Sequence, residues 1–564
     1  MSGGSFSRVG VVGLGTMGAG IAEVLARGGL AVVGIEINQD ALDRGRGNLE
    51  GSTGRAVKRG KLTEEAQREI LDRITLSTDF ADLAECDLVI EAVPERLELK
   101  RRVFEQLDRV CRADAVLATN TSSLSVTDIA VTTNRPAKIV GVHFFNPAPV
   151  MRLVEIIGTV LTEDGAVARV ADLVRGLGKT PVTIGDRAGF VANRLLFGYL
   201  NQAATMLESG HATRDDIDAA MKTGGGLPMG PFTLMDLIGL DTCLEVLEAI
   251  YQESRDRRHA PAPVLRELVT AGLLGRKTGR GFYSYDKTAT ASAPAPDAET
   301  GAPAAEAPQP VVGVAGSGTL AVAIIAGAAR AGSEVRYVAG DGDKVQAARS
   351  ELEKALDADA LARVRGGSEL SELAGCELII EAVSEDVSVK RSLFAAVDNV
   401  AAPGAVLATT ASTVPVIDLA MATDRPGDVV GLHFPEPGGG LVEIAGTVVT
   451  SPGVTDKAVE LAGRLGLTAV RCRDRAGFIV DALRFPYLND AAAMLEAGYA
   501  DADSIDAAMT LGCGYPTGPI ADLDRLGLDR AVAVLRALYA ESREAALAPA
   551  PLLEEYVTAG RTLR

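Results

Sequence analysis

Residues 8–38 read RVGVVGLGTMGAGIAEVLARGGLAVVGIEIN. Two apolar runs flank a stretch of helical character, and this strand–helix–strand order predicts neighbouring parallel strands. The turn that joins the first strand to the helix is Gly13-Leu14-Gly15-Thr16-Met17-Gly18. In that spacing the first glycine permits a tight turn. The second lets a pyrophosphate approach the backbone at the positive helix end, and the third lets the helix lie close on the strand. The second strand closes at Glu36, about twenty residues further on. A carboxylate there accepts from the ribose hydroxyls and repels a 2′-phosphate, which favours NAD over NADP.

Working outward, the rhythm continues through CDLVIEAV (86–93), a helix around Glu98–Val110 and AVLATN (115–120). The fold class expected is α/β, a parallel Rossmann-type sheet with helices on both faces. From about Asp186 the pattern turns helical, with apolar residues three and four apart in NRLLFGYLNQAATMLESG (193–210). The whole plan then recurs. LVIEAVPERLELK at 88–100 returns as LIIEAVSEDVSVK at 378–390, and DRAGFVANRLLFGYL at 186–200 returns as DRAGFIVDALRFPYL at 474–488. A repeat this long is a pair of whole domains, not a solenoid unit. The expected organisation is a Rossmann-type domain at 1–186, an all-α domain at 187–286, a linker at 287–309, a second Rossmann-type domain at 310–474 and a second helical domain at 475–564. The linker is rich in Ala, Pro and small polar residues, which bury little.

At 564 residues the chain requires several cores, and 47% hydrophobic with 23% charged residues suits globular domains. The net charge of -19 argues against nucleic acid or an anionic membrane as a partner. Six cysteines without C-x-x-C spacing, in a chain large enough to need no disulfides, point to a reduced, cytoplasmic setting. No metal site is expected. The start lacks a signal-peptide pattern, and no apolar run is long enough to span a bilayer.

Of four histidines, His143 lies in GVHFFNPAPVMRLVEI (141–156), directly after a strand, at the sheet end where α/β proteins keep their ligand crevice. Glu155 follows twelve residues later. A histidine held by a carboxylate is oriented and made more basic, as a general base requires. The same residues could equally be a structural histidine and a surface glutamate. Asn120, Ser122 and Ser123 follow another strand and offer an amide and hydroxyls at the same edge, or a helix cap. Asn193 opens the helical region, where its amide could face the crevice from the other side.

Together these residues resemble the L-3-hydroxyacyl-CoA dehydrogenase family, which includes bacterial 3-hydroxybutyryl-CoA dehydrogenases. The resemblance covers about 9–286 and rests on the glycine turn, EAVPERLELK, NTSSL, HFFNPAPVMRLVEI, DRAGFVANRLL, GGGLPMGPFTLMDLIGLDT and GRKTGRGFYSY. It implies reversible oxidation of a short (3S)-3-hydroxyacyl-CoA to the 3-oxoacyl-CoA. His143 would take the hydroxyl proton, Glu155 would hold His143, and Ser122 and Asn193 would hold the substrate oxygen. NAD would be bound by Gly13, Gly15, Thr16, Met17 and Gly18, by Glu36, Glu95 and Lys100, and by Asn120, Ser122, Asn146 and Lys277. Lys58, Arg59 and Lys61, in GRAVKRGKL (54–62), would be candidates for the CoA phosphates or simply a solvated helix face.

The second copy departs from this pattern. Its turn reads Gly316-Ser317-Gly318-Thr319-Leu320-Ala321, Ala339 stands at the place of Glu36, and Asp341 two residues on could substitute. Asn146 becomes Glu436 and Asn193 becomes Asp481, while His433 and Glu443 remain. Two added carboxylates would repel an anionic cofactor and developing oxyanion charge. The expectation is a retained fold with an altered site that pairs with the first copy as an internal pseudo-dimer. Rival readings are a 3-hydroxyadipyl-CoA dehydrogenase of aromatic-acid breakdown, a related sugar-acid dehydrogenase or crystallin-like protein, and a non-enzymatic nucleotide-binding protein.

Overall fold

The computed structural model describes residues 6–285 and 308–564, so the expected linker at 287–309 lies outside the described residues except for its last two. In the first copy, β1 (Arg8–Val12), β2 (Ala31–Ile35), β3 (Ile74–Ser77), β4 (Leu88–Glu91), β5 (Val116–Thr119), β6 (Ile139–Phe144), β7 (Leu153–Gly158) and β8 (Thr180–Gly185) build one sheet in the order β3-β2-β1-β4-β5-β6-β7-β8. Strands β4, β5 and β6 are buried along their whole length, which their Val, Leu, Ile and Ala content permits between two helical layers. The order reverses between β1 and β4, and this switch point opens a crevice at the strand ends.

One expectation changes. The sheet is not wholly parallel, because β7 runs antiparallel to β6 before β8 returns parallel to β7. Only residues 145–152 join β6 to β7. A segment that short turns the chain back on itself, whereas a parallel return needs a crossover of roughly a dozen residues or more.

The glycine turn leads into α1 (Thr16–Arg27). Gly13 has φ +87°, a left-handed conformation suited to glycine, and a Cβ on Gly18 would lie 1.7 Å from the Gly13 carbonyl oxygen. The next helix, α2 (Gln39–Lys58), is capped by Asn38, whose Oδ1 accepts from the Ala41 N–H at 2.9 Å.

The second copy repeats this architecture with β9 (Val312–Ala315), β10 (Val335–Val338), β11 (Val364–Gly367), β12 (Leu378–Glu381), β13 (Val406–Thr409), β14 (Val429–His433), β15 (Leu441–Gly446) and β16 (Thr468–Arg473), again with one antiparallel pair, β14 and β15. The helices Ala192–Glu208 and Val480–Glu496 pack on each other, and their apolar faces belong to one continuous hydrophobic core. Polar contacts cross the same boundary. His211 Nε2 meets the Phe478 carbonyl at 2.9 Å, Tyr499 O–H donates to the Gly185 carbonyl at 3.0 Å, and Arg258 pairs with Asp490 at 2.8 Å. Each copy also presses a π-helical turn onto the other's sheet: a Cβ on Gly512 would lie 2.7 Å from Leu153 Cδ2, and one on Gly224 2.7 Å from Leu441 Cδ2. Among the described residues no helix is long and apolar enough to cross a membrane.

Candidate active site

The antiparallel turn-back brings His143, next to last in β6, directly opposite Glu155 in β7. Their side chains meet, with His143 Nδ1 2.8 Å from Glu155 Oε2. The other carboxylate oxygen, Oε1, accepts from the N–H groups of Val191 and Ala192 at 3.2 and 3.1 Å, where the helix Ala192–Glu208 begins. A helix N-terminus favours an anion, so Glu155 is held as a carboxylate and holds the imidazole in turn. The His143 ring lies against Phe145 and Phe190, with centroids 4.5 and 5.7 Å away. Among the described residues His143 Nε2 has no hydrogen-bond partner. With Nδ1–H directed at Glu155, Nε2 is the nitrogen with a lone pair for a proton.

Asn120 ties this pair to the neighbouring strand end, because its Oδ1 accepts from the Phe144 N–H at 2.9 Å. Ser122 sits in the turn after β5, held by Glu95, whose Oε1 accepts from the Ser122 N–H at 2.8 Å and from Thr121 Oγ1 at 2.5 Å. Burial alone would raise the Glu95 carboxyl, but the Lys100 charge and the Thr121 and Ser122 hydrogen bonds outweigh it and hold the value below the ordinary one.

Lys100, expected to contact the cofactor, lies beneath the turn that holds Ser122. It is 1% exposed, and its ammonium pairs with Glu91 at 2.8 Å and Glu95 at 3.3 Å. Lys277 pairs with Asp241 in the helical region, and among the described residues no contact joins it to the glycine turn or to His143. Asn146 is exposed on the β6–β7 connection. Lys58, Arg59 and Lys61 are exposed around the C-terminal end of α2 and form no ion pairs among the described residues.

The glycine turn fits a dinucleotide. The first turn of α1 has no side-chain cap and no acidic residue, and a Cβ on Gly15 would meet nothing within 4 Å. Gly15 and Thr16 are exposed and Met17 is half-buried, so the free N–H groups face open space. Glu36 borders this turn, its Oε1 accepting from the Leu14 N–H at 2.5 Å.

Glu91 and Thr119 were not singled out from sequence. Glu91 Oε1 takes Lys100 and Oε2 takes Thr119 Oγ1 at 2.8 Å, locking the end of β4 to β5. A signal for them existed in the repeat, since the second copy retains Glu381, Lys390 and Thr409 in the same contacts at 2.8 and 2.7 Å.

The second copy keeps the dyad and fills the space around it. His433 Nδ1 lies 2.5 Å from Glu443 Oε2, and Glu443 Oε1 accepts from the Ile479 and Val480 N–H groups at 2.9 Å. His433 Nε2, however, faces Asp481 Oδ2 at 3.5 Å. Burial alone would lower the imidazole, but hydrogen bonds and charge from Asp481 and Glu443 push it up to about 9. The expected repulsion by the added carboxylates is overturned. Arg484 and Arg530 bind Asp481 at 3.1 and 2.9 Å, and Arg484 and Arg525 bind Glu436 at 2.8 and 3.2 Å. The first copy has Leu196, Leu237 and Thr242 at these three arginine positions. Asp341 does not replace Glu36 either, because it caps a helix by accepting from the Lys344 N–H at 2.9 Å, as Asn38 does in the first copy.

Comparison with known proteins agrees with this doubled plan. Residues 8–187 and 311–475 match the family described as 3-hydroxyacyl-CoA dehydrogenase, NAD binding domain, and residues 189–285 and 477–564 match its C-terminal domain. A probable 3-hydroxybutyryl-CoA dehydrogenase of Deinococcus radiodurans is 46% identical over 278 residues, 49% of this chain and 100% of that protein. A 3-hydroxyadipyl-CoA dehydrogenase of Escherichia coli is 33% identical over 552 residues, 97% of this chain and 96% of that protein. The crystal structure of an Escherichia coli K12 3-hydroxybutyryl-CoA dehydrogenase superposes with a TM-score of 0.74 at 31% identity, covering 98% of this chain and 99% of that one.

Proposed function

The chain belongs to the 3-hydroxyacyl-CoA dehydrogenase family and is an NAD-dependent oxidoreductase; from that premise we propose that its first copy oxidises a short (3S)-3-hydroxyacyl-CoA, with His143 as the general base. The observation that carries the reading is the His143–Glu155 pair at 2.8 Å with Nε2 unpartnered among the described residues. His143 accepts the substrate's hydroxyl proton at Nε2, and Glu155 stabilises the imidazolium that results. Ser122, positioned by Glu95, and Asn193, at the start of its helix, steady the substrate oxygen. NAD, when bound, supplies the acceptor for the hydride. The uncapped start of α1 and Glu36 hold its pyrophosphate and ribose. Phe145 and Phe190 limit water around the imidazole.

The test is NADH oxidation with acetoacetyl-CoA. His143→Gln is expected to lower turnover by roughly 10²–10⁴ while His433→Gln retains it. Equal loss in both variants would end the assignment of chemistry to the first copy. A second reading, that the preferred substrate is 3-hydroxyadipyl-CoA, is favoured by the relative of that name that matches almost end to end. Parallel assays with 3-oxoadipyl-CoA separate the two.

The second copy, in this reading, is a non-catalytic partner. The shared core and the crossed contacts of His211, Tyr499 and Arg258 support a pseudo-dimer within one chain. Residues 8–285 produced alone would expose that apolar helix face and are expected to self-associate or lose activity.

A further inference from the structure

A cavity of about 370 Å³ lies where the two helical regions meet, beside the His433 cluster. Arg484, Arg525 and Glu436 of the second copy line one part of it, and Tyr199 of the first copy lines another, with Tyr487 and Tyr515 between. Four hydrogen-bonding atoms of this lining have no partner among the described residues: the hydroxyls of Tyr199, Tyr487 and Tyr515, and Nε of Arg484. These residues are 3, 8, 7 and 5% exposed. Buried donors without partners are rare in folded proteins, and four around one cavity call for an occupant rich in acceptor oxygens. The tyrosine rings form a row, with successive centroids 6.4 and 5.9 Å apart, that offers an apolar wall between the polar ends.

The cations are particular to this copy, since Leu196 and Leu237 occupy the Arg484 and Arg525 positions in the first copy. They are therefore not a remnant of the common fold. The cations Arg484, Arg525, Arg530 and His433 are balanced by Glu436, Asp481, Asp522 and Glu443, so what the cavity offers an anion is local: the unpartnered Nε of the Arg484 guanidinium beside the three unpartnered tyrosyl hydroxyls. The volume is at the low end for small-molecule pockets, enough for a chain of a few carbons.

We infer that this cavity is a binding site for a small carboxylate-terminated chain, with the carboxylate at Arg484 and the tyrosyl hydroxyls and the methylenes along the tyrosine rings. The inference uses no property of His143 and stands apart from the dehydrogenase reading. The carboxylate could belong to a free acid or to the far end of an acyl thioester.

The test uses the full chain and adipate as the probe, with neutral adipamide as its control. Binding is followed by calorimetry and by tyrosine emission, which no tryptophan obscures because the chain has none. Saturable adipate binding at one site per chain is expected, with adipamide at least about tenfold weaker. Tyr487→Phe and Tyr515→Phe each remove a hydroxyl that has no partner, so the melting temperature should hold or rise while adipate binding weakens about tenfold. Arg484→Leu, which installs the first copy's residue, should abolish binding, and His143→Gln should retain it. Displacement of adipate by adipoyl-CoA assigns the site to a thioester tail, and no displacement assigns it to a free acid. Absence of saturable binding to the folded wild-type chain, or binding unchanged in both tyrosine variants, overturns the inference, even if Arg484→Leu fails to fold.

Discussion

Asp481 Oδ2 lies 3.5 Å from His433 Nε2, at the position that Asn193 occupies in the first copy. An amide there leaves an imidazole free to be neutral, while a carboxylate stabilises its protonated form. A general base must be neutral to accept a proton, so one substitution separates a histidine able to act as a base from one fixed as a cation.

Asn193→Asp in the first copy is therefore expected to lower turnover at pH 7 by roughly tenfold or more, with recovery as the pH is raised. The pH–rate profile of NAD-dependent (3S)-3-hydroxybutyryl-CoA oxidation, the direction in which the imidazole must start neutral, checks this. A profile with an unmoved acid limb would show that position 193 does not face the base.

The second copy predicts a stability profile. The His433 value of about 9 exceeds the ordinary 6.5, so between these values the folded chain holds a proton that the unfolded chain has released. The resulting stabilisation is fully present below pH 6.5 and is lost as the pH rises through about 9. Melting temperatures from pH 6 to 10 should fall across that window in the wild type and fall less in Asp481→Asn.

Glu36 is the residue proposed to distinguish the two nicotinamide cofactors. Its carboxylate both accepts from the Leu14 N–H and borders the glycine turn. Glu36→Ala is expected to raise the KM for NADH about tenfold and to narrow the preference over NADPH. Unaltered discrimination would place the ribose elsewhere.

Gly512 links the copies physically. A Cβ there would lie 2.7 Å from Leu153 Cδ2 and 3.3 Å from the Phe145 ring, whose neighbour is His143. Gly512→Ala should destabilise the chain by about 1–3 kcal/mol and reduce first-copy turnover, although Gly512 belongs to the other copy. Thermal melting and the acetoacetyl-CoA assay measure the two effects separately.

The glycine turn and Glu36 were legible because their geometry is local: a strand, a tight turn and a helix place them whatever surrounds them. The repeat was legible for the same reason, residue against residue. Glu155 was readable only as a neighbour twelve residues away, since its contact with His143 depends on β7 reversing direction. Lys100 was readable as part of a motif, but its burial between Glu91 and Glu95 was not, because burial is a property of the packed sheet. The neutralisation of Glu436 was the least legible feature. One of its arginines lies 48 residues away in sequence and the other 89.

Sequence by itself determined that this chain is two dinucleotide-binding folds in tandem, the first with a complete set of polar residues, because strand–helix periodicity and glycine spacing act over a few turns of chain. Tertiary structure alone decided which charges meet. The antiparallel register pairs His143 with Glu155, Arg530 reaches Asp481, and Arg484 and Arg525 reach Glu436 from far along the chain, because electrostatic partners are chosen by proximity in space, which chain order does not specify.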